Sequence, residues 1–312
     1  MPIVSVIIPA YNSGPYLDEA VKSVIAQTFT DWECIVVDDG STEDLSRVEK
    51  MDSRVRLIRQ LNSGTSAARN NGFMSSGGEF IAFLDHDDLW LPTMLANQLE
   101  EMEVHPEAAL CYTAFDLINS IGERQGPGWG RGVSGYVEYL RGIGGPLPSC
   151  ALIRRSCLLK TGLFDPLYPM VQDFDLFLKI FMFHPVRFIP TTRMLYRIHE
   201  ANTSRNYVAL HGEVVNVVNK HILMARLRGN IAAIKAGRIC IRRRCLVSGA
   251  QAYDAARECV HAGKMAKCLP HLLRAVIWSP RYTLTSLFKF PFRWLKKRTD
   301  LGGVPDKMWL QD

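Results

Sequence analysis

The sequence Phe80-Ile-Ala-Phe-Leu-Asp-His-Asp-Asp88 joins a short apolar run to three carboxylates within four positions. The run Phe80–Leu84 is unbroken and follows the turn-forming residues Ser76-Gly77-Gly78, which predicts a buried strand of a parallel sheet. In open α/β sheets, ligands bind beyond the carboxyl ends of the strands. The stretch therefore predicts an α/β fold with a functional site at the end of this strand.

The three carboxylates of Asp85, Asp87 and Asp88 have two interpretations. Because they repel one another, a hard divalent cation with oxygen ligands is a natural partner, and it would keep waters or bind a phosphate. Alternatively, they form a solvated turn in which Asp88 caps the helix expected after Leu91-Pro92. The four residues Asp85-His86-Asp87-Asp88 alone do not distinguish a metal site from a capped turn.

Three further apolar runs precede Phe80 and alternate with helical patterns. Strands are predicted at Ser5–Pro9, Trp32–Val37 and Val55–Ile58, with one helix between Tyr16 and Gln27 and another from near Gly64. Such alternation indicates a doubly wound, mostly parallel sheet. Since Trp32–Val37 runs into Asp38-Asp39, two acidic groups are expected at one edge of the sheet.

Composition indicates a globular chain without a membrane span. Its 312 residues are 47% hydrophobic and 22% charged, and no run approaches about 18 apolar residues. The eight scattered cysteines include no C-x-x-C pair, so they are expected to be core residues in a reducing cytoplasm. The first nine residues read as a strand rather than a signal peptide.

Positive charge is concentrated in the carboxyl-terminal third. Between Arg226 and Arg298 there are 17 Lys/Arg against two acids. Helices are predicted at 207–228, 231–246, 248–262 and 265–278, before the basic and aromatic stretch Tyr282–Arg298. We therefore expect an α/β domain at 1–206 and a basic helical extension at 207–312.

The basic extension has two interpretations of equal weight. Its composition suits a peripheral contact with the anionic inner face of the membrane. It equally suits a basic bundle that packs on the α/β domain and keeps a solvated face. Nucleic acid is disfavoured as a partner, because no recognised binding module accompanies the charge.

If the ligand carries phosphates, their negative charge would have to be neutralised by groups other than a glycine-rich loop. Neither G-x-G-x-x-G nor a Walker A sequence follows the first strand. Arg69, about one turn into the helix that begins near Gly64, would supply a cation beside free N–H donors. The alternative role for Arg69 is a surface ion pair with an aspartate.

Four motifs in this order carry a resemblance to a known family. They are Ser5-Val-Ile-Ile-Pro-Ala-Tyr-Asn12, Val37-Asp-Asp-Gly-Ser-Thr42, Asn62-x-Gly64-x-Ser66-x-Ala68-Arg69-Asn70 and Leu84-Asp-His-Asp-Asp88. Together they resemble the amino-terminal half of a family 2 glycosyltransferase with the GT-A fold, over roughly residues 3–100. The resemblance implies a nucleotide-sugar donor, with UDP as the default nucleotide.

The resemblance also implies roles for individual residues. Asp38 and Asp39 would recognise the nucleoside. The acidic residues would hold Mn²⁺ or Mg²⁺ as a DxD element, with a histidine of the Tyr-Arg-x-His type beside it. The implied donor-binding residues are Pro9, Tyr11, Asn12, Asp38, Asp39, Asn62, Gly64, Arg69, Asp85 and His86, and the implied metal ligands are Asp85, Asp87 and His199.

The predicted helix that starts at Gln172-Asp173 carries the candidate general base. In the resembled family this position commonly reads Glu-Asp, and the aspartate takes the acceptor proton; here Gln172 replaces the glutamate and Asp173 remains. Asp173 and Asp175 lie about 200° apart on a helix, so they cannot both face one hydroxyl, and Asp173 is the favoured base. Acids in a first turn also arise from helix capping alone.

Nine glycines between Gly122 and Gly145 predict a long mobile segment over roughly 116–148. It would be either an acceptor-facing lid or a disordered surface loop.

The function predicted is metal-dependent, inverting transfer of a sugar to an acceptor hydroxyl in glycan, polysaccharide or lipid-linked oligosaccharide assembly. Because the Q-x-x-R-W element of processive synthases is missing, one sugar would be transferred at a time. The alternative is a non-catalytic nucleotide-sugar-binding protein at the membrane surface, which the loss of the glutamate at Gln172 slightly favours.

Overall fold

The computed structural model describes residues 2–199 and 206–284. The chain divides after residue 202 into two compact units, and each is described by itself. The first is an α/β unit and the second is helical. Most of the predicted basic and aromatic stretch Tyr282–Arg298 lies outside the described residues.

The α/β unit is built on one mixed sheet in the strand order β3-β2-β1-β4-β8-β6-β9-β5, with β7 paired to β6. Neighbours from β3 to β4 are parallel, whereas β8 is antiparallel to both β4 and β6. The predicted α/β fold with strands flanked by helices is confirmed. The strands are β1 (Val4–Ala10), β2 (Trp32–Asp38), β3 (Val55–Arg59), β4 (Phe80–Phe83), β5 (Leu89–Trp90), β6 (Leu110–Ile118), β7 (Arg124–Pro127), β8 (Ala151–Arg154) and β9 (Val186–Arg197).

Helices cover the sheet because their apolar residues recur at helical spacing. In the first helix, Leu17, Ala20, Val21 and Val24 are all buried, as the sequence pattern predicts. The helices of this unit are α1 (Tyr16–Ile25), α2 (Thr65–Met74), α3 (Met94–Val104), α4 (Tyr136–Leu140), α5 (Arg155–Thr161) and α6 (Gln172–Phe183), with short 3₁₀ turns at Ser46–Lys50 and Pro148–Cys150.

The central strands are buried on both faces, which explains their unbroken apolar runs. All seven residues of β1 and all four of β4 are buried. The β1–β4 ladder ends at Ile7 and Phe83, whereas the β1–β2 ladder continues to Ala10 and Asp38. Pro9 thus lies beyond the β4 ladder, where its missing N–H costs no bond to β4.

The order of the strands in the sheet reverses at β1, because β2 and β3 lie on one side of it and β4 on the other. The carboxyl end of β1 is therefore a topological switch point, where ligands bind in open α/β sheets.

The glycine-rich segment is more ordered than the sequence analysis expected. Residues 116–148 contain the end of β6, all of β7 and α4. A Cβ at Gly128 or Gly130 would lie 2.2 Å or 2.4 Å from the ring of Phe115, and Trp129 meets that ring edge-on with centroids 5.3 Å apart. These glycines allow close packing on an aromatic ring, which argues against a disordered surface loop, and the alternative of an acceptor-facing lid stays a prediction.

The helical unit consists of α7 (Tyr207–Leu227), α8 (Ile231–His261) and α9 (Met265–Trp278). The two helices predicted at 231–246 and 248–262 form one continuous helix, α8, and Gly249 lies inside it. A Cβ on Gly249 would come 2.4 Å from Cβ of Ser279, so this glycine permits close packing. Among the described helices, none is long and apolar enough to cross a membrane.

The eight cysteines are free thiols, and five of them are buried. This agrees with their expected role as core residues. Burial raises the pKa of the Cys150 thiol to about 12 and that of Cys157 to about 11, which keeps both in the neutral form at physiological pH.

Gly78 provides a test of the packing before β4. Its N–H donates to Oγ of Ser5 at 2.8 Å, and a Cβ there would lie 2.6 Å from the Ser5 backbone nitrogen. We expect Gly78→Ala to lower the free energy of unfolding by about 1–3 kcal/mol, since backbone must move to make room. The measurement is the urea unfolding midpoint.

Gly77→Ala is the matched control, because a Cβ at Gly77 meets nothing closer than 3.8 Å. It should change the free energy of unfolding by no more than about 0.5 kcal/mol. Equal destabilisation by the two substitutions would contradict the packing argument.

Candidate functional site

Polar residues gather at the carboxyl ends of three adjacent strands. Tyr11 follows β1, Asp38 ends β2, and Asp85 follows β4 within two residues. Because these strands are parallel neighbours in the order β2-β1-β4, their ends meet at one edge of the sheet. The two acidic groups predicted from the sequence are brought to this edge.

The acidic residues after β4 form a tight turn. The backbone N–H of Asp88 donates to the carbonyl of Asp85 at 3.1 Å, and the N–H of Asp85 donates to Oγ of Ser149 at 3.1 Å. Asp85 and Asp87 are half-buried, whereas Asp88 is 2% exposed. Burial raises the pKa of Asp88 well above its usual range, and the negative charges of Asp87 and Asp85 raise it further.

Asp88 does not cap the following helix. Its Oδ1 accepts from the backbone N–H of Arg197 at 3.1 Å, and so it ties the acidic turn to the end of β9. Helix α3 begins at Met94 after Thr93, without a side-chain cap. The capping role given to Asp88 from the sequence was therefore wrong, because its real partner lies 109 residues away.

Arg197 is the largest fully buried side chain near the turn, with 1% exposure. Its Nε donates to the carbonyl of Asp87 at 2.8 Å, one terminal nitrogen donates to Glu19 Oε2 at 2.6 Å and the other to the carbonyl of Ser120 at 3.2 Å. The guanidinium also lies over the Tyr16 ring, 4.5 Å from its centroid. Arg197 thus positions the acidic turn against α1 and the turn that follows β6.

His199 also contacts the acidic turn. Its Nε2 lies 2.8 Å from Oδ2 of Asp87, and its ring lies 5.4 Å from that of Tyr16. The predicted association of His199 with the acidic turn is thus present in the structure. Its role as a metal ligand stays a prediction, since Nε2 faces the carboxylate.

Arg69 is buried beneath the acidic turn. One terminal nitrogen donates to Oδ1 of Asp85 at 2.5 Å, and the guanidinium lies 5.0 Å above the ring of Phe164. Its Nε and other terminal nitrogen are enclosed and have no hydrogen-bond partner within the described residues. Arg69 is paired with an aspartate, as the alternative interpretation expected, but the pair is only partly exposed and sits in the site.

Asp173 lies at the start of α6, close enough to Arg69 and Asp85 to interact with both electrostatically. Its Oδ1 accepts from the N–H of Phe174 at 2.8 Å. Burial raises the pKa of the Asp173 carboxyl above its usual range, the positive charge of Arg69 offsets part of this rise, and Asp85 adds to it. A carboxylate with a raised pKa is a better proton acceptor, which suits a general base.

Asp175 occupies a different environment from Asp173. It is fully buried, and its carboxylate lies 3.5 Å from Nζ of Lys179 on the next turn of α6. The two aspartates thus face different surroundings, as their spacing predicts. The buried position of Asp175 leaves it no access to an acceptor hydroxyl.

Gln172 joins the two helices whose first turns border the site. The hydroxyl of Ser66 in α2 donates to Oε1 of Gln172 in α6, and both side chains are buried. A glutamine can accept this bond as a glutamate would. The departure from Glu-Asp therefore still provides an acceptor for the Ser66 hydroxyl next to Asp173.

Asp38 and Asp39, at the carboxyl end of β2, hold the backbone of neighbouring loops. Both oxygens of Asp39 are used: Oδ1 accepts from Gln60 Nε2 and Ser63 N, and Oδ2 from Gly64 N, all at 2.8 Å. Asp38 accepts from the N–H of Ser41 at 2.8 Å. The structure shows these two acids organising loops, and their contact with a nucleoside stays a prediction.

The remaining predicted donor residues differ in accessibility. Tyr11 is 49% exposed, and Asn62 is also exposed. Asn12 has a positive φ of 46°, and its Oδ1 accepts from the N–H of Thr42 at 3.0 Å. Pro9 is buried within β1, His86 is half-buried, and Gly64 caps α2 with φ of +86°. Tyr11 is thus the predicted donor residue with the most accessible ring.

The side chains of the acidic turn fit a cation that is bound partly by protein carboxylates and partly by phosphate oxygens of a ligand. Across residues 2–199 and 206–284, no three His, Cys, Asp or Glu side chains form a metal site by themselves. Mg²⁺ is commonly bound through one or two carboxylates together with substrate phosphates, so a third protein ligand is not required. Asp85 and Asp87, which are half-buried on one turn, supply these two carboxylates.

Sequence reasoning missed the residues that support the turn. Arg197 was part of a quoted motif but was given no role, although an arginine inside a strand is a signal for a buried ion pair. Ser149, which accepts from Asp85, and Glu19, which pairs with Arg197, carry no local signal because their partners are distant in sequence.

Comparison with known families gives one match over half of the chain. The family described as Glycosyl transferase family 2 matches residues 5–162. This range contains the four motifs quoted above and the supporting residue Ser149. The resemblance predicted from the motifs is thereby confirmed.

Two relatives in sequence are glycosyltransferases by name. An uncharacterized glycosyltransferase of Rickettsia conorii is 29% identical over 230 residues, which are 69% of this chain and 37% of that protein. TuaG of Bacillus subtilis, a glycosyltransferase assigned to teichuronic acid biosynthesis, is 39% identical over 126 residues, covering 39% of this chain and 50% of that protein. The chain thus spans only about a third to a half of these relatives.

Solved structures show the same fold at low sequence identity. The mannosyltransferase PcManGT from Pyrobaculum calidifontis, in complex with GDP-Man and Mn²⁺, has a TM-score of 0.60 at 16% identity and covers 95% of this chain and 81% of its own. TarS 1–349 of S. aureus, in complex with UDP-GlcNAc, has a TM-score of 0.56 at 17% identity. The match covers 88% of this chain and 91% of the TarS chain. The predicted GT-A-like fold is confirmed.

Arg197 provides a test of how the acidic turn is held. We expect Arg197→Met to lower the free energy of unfolding by about 3 kcal/mol, because it removes bonds to three sites and leaves buried acceptors unpaired. The measurement is equilibrium unfolding in urea.

Arg187→Met is the matched control. Arg187 is 43% exposed in its side chain, and its one ion pair among the described residues is with Glu101 at 3.1 Å. Its loss should cost less than about 1 kcal/mol. If both substitutions cost the same, Arg197 is not the support that its contacts indicate.

Proposed function

The chain belongs to glycosyl transferase family 2, and we propose that it transfers a sugar from a nucleoside diphosphate donor to an acceptor hydroxyl. One observation carries the proposal. At the carboxyl edge of the sheet, a half-buried acidic turn and the candidate base Asp173 both interact with one buried guanidinium, that of Arg69. Such a site combines a place for a diphosphate-bound cation with a proton acceptor.

Asp85 and Asp87 would hold Mn²⁺ or Mg²⁺, with His199 beside them. When bound, the cation would stabilise the negative charge that develops on the departing diphosphate. One carboxylate oxygen of Asp85 contacts Arg69, and one of Asp87 contacts His199. These contacts fix the orientation of the two carboxylates. The PcManGT complex with GDP-Man and Mn²⁺ supports a metal-dependent donor site in this fold.

Asp173 would act as the general base. As the acceptor oxygen bonds to the anomeric carbon, the bond from that carbon to the diphosphate breaks and its electron pair leaves with the diphosphate. The acceptor proton passes to a carboxylate oxygen of Asp173. A single displacement of this kind inverts the anomeric carbon. We propose that one sugar is transferred in each encounter.

UDP is the proposed default nucleotide, and a UDP-sugar the donor. The TarS complexes with UDP-GlcNAc and with UDP support this choice, whereas the GDP-Man complex of PcManGT shows that the fold also accepts another base. Tyr11, exposed beside β2, would stack on the base. The acceptor proposed is a glycan or lipid-linked saccharide of polysaccharide assembly, which the similarity to TuaG supports.

We include in this proposal an anionic membrane, at its cytoplasmic face, as the surface where the acceptor is met. Residues 206–284 contain 13 Lys/Arg against three acids, a balance that favours anionic lipid. A peripheral position would bring the α/β unit to a lipid-linked acceptor.

Asp173→Asn tests the general base. We expect transfer to fall at least about 100-fold, because an amide cannot take the acceptor proton, while donor affinity is unchanged. The measurements are the transfer rate and calorimetric donor binding. Asp175→Asn, on the same helix but buried against Lys179, is the control and should keep the rate within a few-fold.

A near wild-type rate for Asp173→Asn would contradict the assignment of the base. If the wild-type protein binds donor with Mn²⁺ but neither transfers nor hydrolyses it, the alternative of a non-catalytic nucleotide-sugar-binding protein is correct instead.

Asp87→Ala tests the metal claim. We expect the Mn²⁺-dependent part of the affinity for a UDP-sugar to fall at least about tenfold, because one of two carboxylate ligands is lost. Titration calorimetry with and without Mn²⁺ measures it.

Asp31→Ala is the control, since Asp31 is exposed just before β2, at the opposite end of that strand. It should leave donor affinity and its metal dependence unchanged. Unaltered Mn²⁺-dependent affinity in Asp87→Ala would show that the acidic turn does not hold the cation.

A further inference from the structure

We propose that the outward face of α9 docks the chain on the surface of an anionic lipid bilayer. This face consists of Met265, Leu269, Leu273, Val276 and Ile277. The inference deepens the membrane part of the proposed function and assigns the contact to named residues. Its test uses neither donor nor acceptor, so that its failure leaves the proposed glycosyl transfer untouched.

The inner side of α9 accounts for its packing within the helical unit. Ala275 is fully buried in a cluster with Ala252 and Tyr253. Nδ1 of His271 lies 2.6 Å from the Tyr207 hydroxyl, and Trp278 packs against the same cluster. His271, Ala275 and Trp278 fall on one side of the helix at 3.6 residues per turn.

The apolar residues lie on the opposite side of α9. The side chains of the five face residues are between 41% and 73% exposed, and they span about 120° of the helix circumference. A surface helix normally turns such a stripe toward the core and its polar residues toward water. Here the stripe faces solvent, and contiguous exposed apolar surface of this kind marks an interaction site.

Charge identifies the partner as anionic. From Lys264 to Arg298 the chain carries nine Lys/Arg and no Asp or Glu. Lys264 and Lys267 are exposed at the amino-terminal end of α9. Apolar residues on one face of a helix with cations around them are typical of helices that lie in the interface of an anionic bilayer.

A second copy of the chain is the less suitable occupant. In a two-fold symmetric interface the same patch would face itself, and each cation around α9 would approach its own counterpart. No acid between Lys264 and Arg298 would balance that repulsion. A bilayer containing anionic lipid supplies both the apolar depth and the opposite charge.

The dimensions of α9 favour lying on the membrane over crossing it. Its 14 residues would be about 21 Å long, short of the roughly 30 Å hydrocarbon core. None of the described helices qualifies as a membrane span. Leu269 and Leu273 are one turn apart and would enter the acyl boundary together.

The experiment is co-sedimentation of the full chain with vesicles of pure phosphatidylcholine or of phosphatidylcholine with 30% phosphatidylglycerol. We expect the wild-type protein to bind the anionic vesicles at least tenfold more strongly, with loss of binding at high salt. The double substitution Leu269→Glu/Leu273→Glu should lower binding to anionic vesicles at least tenfold. Ile277→Glu, at the most exposed position of the face, should lower it in the same direction.

The matched control is Leu159→Glu/Leu167→Glu in the α/β unit. These leucines are 68% and 81% exposed, so the control makes the same change in charge at equally exposed positions. It should bind vesicles like the wild-type protein. Circular dichroism melting curves of all variants should coincide, because the substituted side chains lie at the surface.

Two results would overturn the proposal. The first is wild-type vesicle binding by Leu269→Glu/Leu273→Glu, which would leave the membrane contact to another part of the chain. The second is a wild-type dimer in analytical ultracentrifugation that this double substitution dissociates, which would make a second copy the occupant of the face.

Discussion

The guanidinium of Arg197 lies almost wholly inside the α/β unit and bonds to three separate parts of the chain. A buried cation must satisfy its donors, so Glu19, the carbonyl of Asp87 and the carbonyl of Ser120 have to remain close to it. The acidic turn cannot shift without breaking these bonds. Through them, a strand end late in the sequence fixes the geometry of a turn formed 110 residues earlier.

The charges of the site are arranged around a second buried cation. Arg69 donates to Asp85 and offsets part of the rise in the pKa of Asp173. One guanidinium thereby stabilises two acids with different proposed tasks, metal binding and proton acceptance. Its position on α2 depends on the loop that Asp39 holds through the backbone of Ser63 and Gly64. The acids that end β2 and the acidic turn after β4 are thus joined by a chain of hydrogen bonds and packing.

Local patterns predicted the elements but not their partners. The apolar runs predicted β1 to β4, and the spacing in α1 predicted its buried face. The glycines between Gly122 and Gly145 were interpreted as a mobile segment, although both a flexible loop and a close contact favour glycine. Gly128 and Gly130 admit the ring of Phe115, and Gly249 admits Ser279, contacts that no local pattern reveals. Asp88 was misassigned for the same reason, since capping is local and its bond to Arg197 is not.

By itself, the sequence determined the α/β order from Ser5 to Asp88, the family and the edge of the sheet where the acids meet, because periodicity and motif spacing are local properties of the chain. Only the tertiary structure decided what each acid does there. It bound Asp39 to a loop, Asp88 to β9 and Asp85 to Arg69, and it turned the apolar side of α9 outward. Hydrogen bonds and burial depend on which distant segments pack together, and that information is not carried by any short stretch of sequence.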